Sequence, residues 1–141
     1  MQGTGNALIA DSIDEQTLNK IGNQIQAIGN STVIVGLIIH FDHDTTNKVL
    51  NIQGNLLQAL GSTLALPELF HETKSYSTLV SINGTLLQTI GNALQAIAGG
   101  IELNTGDEDN LDFVGSWIQA IGSVLQVLVA TKSSQTTSAP K

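Results

Sequence analysis

Gly22-Asn-Gln-Ile-Gln-Ala-Ile-Gly29 returns three more times along the chain: Gly54-Asn-Leu-Leu-Gln-Ala-Leu-Gly61, Gly84-Thr-Leu-Leu-Gln-Thr-Ile-Gly91 and Gly115-Ser-Trp-Ile-Gln-Ala-Ile-Gly122. The first glycines of successive copies lie 32, 30 and 31 positions apart, and so do the second ones. Each copy is one heptad with apolar residues at alternating spacings of three and four. That period belongs to an amphipathic helix and not to a strand. In a coiled-coil register the apolar residues fall at a and d, glycine at e and glutamine at b. The seam takes Leu18, Ile21, Ile25 and Ile28 in the first copy, Leu50, Leu57, Leu60 and Leu64 in the second, Val80, Leu87, Ile90, Leu94 and Ile97 in the third, and Leu111, Val114, Ile118, Ile121, Leu125 and Leu128 in the fourth.

Helix breakers separate the copies. They are Phe41-Asp-His-Asp-Thr-Thr, then Pro67 with the polar stretch after His71, then Gly99-Gly100 with the acidic segment that follows. The pattern predicts helices near 6–40, 45–66, 76–99 and 110–131, the first bending near Asn30-Ser-Thr. Asp44 or Thr45, Ser75 or Ser77, and Asp109 or Asn110 are the expected N-caps. Short connections favour an all-α, antiparallel up-down four-helix bundle built from four repeats of about 31 residues. An open helical solenoid competes, but four helices make only two hairpins. The expected domain is residues 1–131, with 132–141 as a polar, flexible tail.

Nine of the fourteen glycines occupy the e position. A glycine inside a helix costs about 1 kcal/mol relative to alanine, so something must offset the set. Close helix approach is the simplest candidate, because a column of bare backbone admits a neighbour nearer than the usual 8–10 Å or so. Gly22, Gly29, Gly54, Gly61, Gly84, Gly91, Gly115 and Gly122 are therefore the expected helix-packing residues. Gln26, Gln58, Gln88 and Gln119 flank that column. They read either as helix formers on a solvated face or as amides bonding across an interface. Trp117 lies beside the seam, as a core filler or an interface residue, and Phe41, Phe70 and Phe113 are expected to close the ends.

Composition narrows the function. Charged residues are 12% of the 141-residue chain and the net charge is −7, which argues against nucleic acid as a partner. With no cysteine there are neither disulfides nor thiolate metal sites. The N-terminus lacks a signal-peptide pattern, and the strongest apolar run, 33–39, is far short of a membrane span of about 20 residues. A cytoplasmic location is expected, with signal-independent export left open. The acidic balance and the absence of a lysine-rich face argue against a membrane partner.

No nucleophile–base arrangement, phosphate loop or Glu-x-x-His pair is present, so no enzyme and no cofactor are expected. Asp42, His43, Asp107 and Asp109 could meet at one end of a bundle and hold a divalent cation. Helix capping already accounts for those acids, and their spacing matches no ligand pattern. The expected role is a non-enzymatic structural or protein-interaction module that packs, and self-associates or takes a helical partner, through glycine-lined faces. The alternative is a membrane-active amphipathic bundle.

The phrase G-N-x-[I/L]-Q-A-[I/L]-G, as in Gly22-Asn-Gln-Ile-Gln-Ala-Ile-Gly29 and Gly91-Asn-Ala-Leu-Gln-Ala-Ile-Ala-Gly99, resembles that of small repetitive helical proteins from spore-forming bacilli. The resemblance covers the four repeats. It implies a bacterial, non-enzymatic protein and carries over no site residue.

Overall fold

The computed structural model describes residues 2–12, 17–39, 44–106 and 110–137. They form five helices: α1 (Gln2–Asp11), α2 (Leu18–Ile39), α3 (Asp44–His71), α4 (Tyr76–Thr105) and α5 (Asn110–Thr137). The class is all-α, with no strand among the described residues.

Two of the expected boundaries move for local reasons. The first helix divides at 12–17 and not near Asn30. The Ser12 hydroxyl donates to the Ile9 carbonyl at 2.7 Å and closes α1. The Thr17 hydroxyl accepts from the Lys20 backbone N–H at 3.1 Å and opens α2. At Asn30-Ser31-Thr32 the three side chains donate to carbonyls four residues back, at 2.8, 2.9 and 2.9 Å. Their polar groups are spent within the helix, which runs on.

The other helices outlast their predicted stops. α3 passes through Pro67 to His71. α4 passes Gly99 and Gly100 and ends at Gly106, which takes φ 78° and returns its N–H to the Glu102 carbonyl. A left-handed residue there costs glycine nothing, and this is a common C-terminal stop. α5 continues beyond Thr131 to Thr137. Ser75 is the N-cap of α4, accepting from the Thr78 N–H at 3.0 Å.

Each helix packs on the next in the chain: α1 on α2, α2 on α3, α3 on α4, α4 on α5. Among the described residues α2 and α5 do not pair, so the four long helices form an open array and not a closed ring. α1 lies along the opening. Asn6 Nδ2 donates to Gln26 Oε1 of α2 at 3.1 Å, and Gln2 Nε2 donates to Ser123 Oγ of α5 at 2.5 Å.

The expected apolar seam is not the core. Ile21, Ile28, Leu60, Ile90, Ile97, Val114, Ile121 and Leu128 are all exposed. Among the described residues the only buried apolar side chains are Ala10, Ala96 and Ala98. Asn23, Asn47, Asn55, Gln58, Ser62, Thr78, Thr85, Gln88 and Asn92 are buried instead. The helices have turned their e, b and f positions inward and their d positions out, and the a positions, Ile25, Leu57, Leu87 and Ile118 among them, are half-buried between the two.

Candidate functional site

The inward face is built from the repeated glycines. They meet in four antiparallel pairs: Gly22 with Gly61 and Gly29 with Gly54 between α2 and α3, Gly84 with Gly122 and Gly91 with Gly115 between α4 and α5. In each pair the carbonyl oxygen of one glycine fills the space a side chain would take on the other. A Cβ built on Gly22 would lie 2.5 Å from the Gly61 oxygen, and one on Gly91 would lie 2.6 Å from that of Gly115. Real Cβ contacts do not come below 3.0 Å. Only a hydrogen fits, directed at a carbonyl as in Cα–H···O contacts.

The residue four positions after each glycine then covers the partner glycine. Gln26 lies on Gly61, Gln58 on Gly29, Gln88 on Gly122, Gln95 on Gly115, Gln119 on Gly91 and Gln126 on Gly84. Their amides join across helices. Gln95 Nε2 donates to Gln119 Oε1 at 2.8 Å, and Gln119 Nε2 donates to Gln58 Oε1 at 3.2 Å. Gln88 Nε2 donates to Ser123 Oγ and Gln126 Oε1 at 3.0 and 3.2 Å, and Gln126 Nε2 donates to Thr85 Oγ1 at 3.0 Å. A buried amide is expensive unless it is bonded, and this ladder bonds most of them. Asn92 is the exception of interest: it is 2% exposed and its Oδ1 has no partner.

The outward face is the reverse. Among the described residues 25 large apolar side chains are exposed, from Leu8 to Leu128, and most of them lie on this face. Several of the polar residues it carries bond their own helix. Ser31, Thr63, Asn83 and Thr131 each donate to the carbonyl four residues back, at 2.8–2.9 Å. Charges are confined to the two ends. The runs 21–39, 49–67, 75–101 and 113–131, one per long helix, contain no Asp, Glu, Lys, Arg or His. The shortest is 19 residues, about 28 Å of helix. Lys48 and Glu102 pair at 3.1 Å at one end. At the other, Glu68 Oε1 accepts from the Asn19 N–H at 3.1 Å, and Lys132 Nζ stands 5.6 Å from the Tyr76 ring centroid.

The described aromatic residues also sit toward the ends, and they are exposed. Phe70 and Tyr76 are 63% and 75% exposed at one end, Phe113 and Trp117 65% and 59% toward the other. Phe113 and Trp117 meet edge to face, with centroids 6.1 Å apart. Phe70, Tyr76 and Trp117 therefore do not fill the core, and Phe113 borders the inward face at its end of the array. Asp42, His43, Asp107 and Asp109, like Phe41, lie outside the described residues. Among the described residues no three His, Cys, Asp or Glu side chains gather as metal ligands.

Sequence reasoning passed over Asn55, Ser62, Thr85, Asn92 and Ser123. The signal was present: the position after the glycine is Asn, Ser or Thr in every copy, as regular as the glutamine. Among the described residues one helical segment, Asn110–Lys132, is long and apolar enough to cross a membrane, and only 11% of its most apolar window is buried within the protein. No curated protein and no solved structure matches the chain. The sequence profile of a family of unknown function, DUF6944, matches residues 1–127, and the chain belongs to that family.

Proposed function

We propose that this is a non-enzymatic, bilayer-embedded helical module, in which lipid is the partner of the outward apolar faces and the glycine–glutamine faces hold the helices together. The observation that carries this reading is the inversion of burial. A water-soluble domain of this size hides its Leu and Ile, each worth about 1.5–3 kcal/mol when removed from water. Here the d-position Leu and Ile face out, the a-position ones are only half-buried, and the amides face in. That is the economy of a hydrocarbon solvent, where polar groups need internal partners and small residues allow close helix contact.

Three further features agree with it. The charge-free length of about 28 Å is close to the hydrocarbon thickness of about 30 Å. Exposed hydroxyls bond their own helices. Tyr76 and Trp117 lie toward opposite ends, as interfacial aromatic belts do. The glycine faces are occupied within the molecule, which leaves the apolar faces for any outside partner.

The test uses the single tryptophan. The protein is mixed with phosphatidylcholine vesicles, floated on a density gradient, and its Trp117 emission followed with lipids brominated at shallow or deep acyl positions. Co-flotation with quenching by the shallow bromines is expected. Protein that stays in the aqueous fraction as a discrete oligomer, with Trp117 unquenched, defeats the lipid reading. The partner of the apolar faces is then a second copy of this chain.

A further inference from the structure

Two cavities of about 780 and 320 Å³ open along the inward face. They share Gln2, Asn30, Gln58 and Gln119 in their walls and so adjoin. The larger reaches the Lys48–Glu102 pair and Asp112 at one end of the array; the smaller reaches Ile9 and Ala130 toward the other. Between those limits no wall residue is charged: amides line much of the larger cavity, whereas the smaller is mostly apolar, with Ile9, Val127 and Ala130 beside Gln88, Asn92 and Ser123. The unpartnered Oδ1 of Asn92 belongs to a residue that lines the smaller cavity. A buried acceptor beside a space of that size calls for a donor, and water or a small hydroxylated or amide solute supplies one.

We infer that this uncharged, amide-studded track is a conduit for water and small neutral hydrogen-bonding solutes of glycerol or urea size. The inference rests on the bilayer reading, since a track matters for transport only if lipid surrounds it. Its chemistry sets its selectivity. Neutral amides and hydroxyls can exchange bonds with a neutral solute at little cost. They offer no fixed charge to replace the hydration of an ion along the middle of the path.

The absence of cysteine from the sequence makes the test direct. Asn92→Cys and Leu56→Cys are each reconstituted into phosphatidylcholine vesicles. Trp117 quenching by brominated lipid first establishes insertion, so a failure to insert is read separately from a failure to conduct. Inserted protein should speed osmotic water and glycerol equilibration several-fold over protein-free vesicles, without releasing K⁺. A small water-soluble methanethiosulfonate should label Asn92→Cys and slow the flux, and leave Leu56→Cys, on an exposed outward face, unlabelled.

Gln119→Met keeps the volume and removes the amide. With helix content unchanged by circular dichroism, it should reduce glycerol flux more than water flux. Vesicles that hold inserted protein and equilibrate no faster than empty ones overturn the inference. So does K⁺ release, or equal labelling of both cysteines.

Discussion

A glycine in this chain has one of two surroundings, and the difference is measurable. At Gly61 an added methyl would meet the Gly22 carbonyl and the Gln26 N–H nitrogen, the latter at 2.9 Å. Both are backbone, and neither can swing away. At Gly100, also within a helix, nothing lies within 4 Å. Gly61→Ala should therefore destabilise by about 1–3 kcal/mol through overpacking. Gly100→Ala should stabilise by up to about 1 kcal/mol, by removing unfolded-state freedom and restoring helix propensity. Gly84→Ala should fall between them, because its nearest contact is 3.0 Å. Thermal melts followed by circular dichroism in a mild detergent give the three signs. Destabilisation at Gly100, or none at Gly61, would break the close-packing account.

At the scale of the element, the glutamine ladder binds α4 to α5, and one of its amide bonds crosses to the other helix pair, beside the direct packing of α3 on α4. Gln119 is the junction, since it accepts from Gln95 of α4 and donates to Gln58 of α3. Gln119→Leu removes both bonds and leaves two amides short of a partner. The expected loss is about 1–3 kcal/mol, read as a lower melting temperature. Gln53→Leu, on an exposed stretch of α3, should leave it unchanged.

Pro67 offers the opposite sign. It lies inside α3, where it cannot donate to the carbonyl of Thr63. Pro67→Ala should raise the melting temperature, with a gain of up to about 3 kcal/mol.

Much of this was legible in the sequence. The three-four spacing announced helices, the glycine column announced which residues approach closely, and Ser75 announced a cap. What the heptad does not carry is a sign. Its a and d stripe, Ile21 through Leu128, and its e, b and f stripe are equally periodic. Periodicity alone does not say which one turns inward. The usual assumption that Leu and Ile face the core presumes water outside. The pairing of Gly22 with Gly61 and of Gln119 with Gln58 reverses it. Pro67 and Gly99-Gly100 misled for a related reason: a breaker on a helix near its end bends or thins the helix without stopping it.

For the whole molecule, the distribution of charge sets an orientation in the proposed bilayer. The antiparallel glycine register places the start of α2, the turn after α3 and the end of α5 at one end of the array. Lys20, Lys74 and Lys132 lie there, while Lys48 at the opposite end is paired with Glu102. Lysines and arginines are retained on the cytoplasmic side of inserted helices. The turn between α3 and α4 should then face the cytoplasm, and the C-terminal end of α4 the outside. Thr73→Cys and Asn104→Cys, both at exposed positions, report the two ends. In intact bacterial cells a membrane-impermeant maleimide should label Asn104→Cys at once and Thr73→Cys only after the cells are opened. The reverse order would mean that the acidic end faces inward and that the lysines do not govern insertion. Immediate labelling of both would place the array on the outer surface, its apolar faces covered by something other than a spanning bilayer.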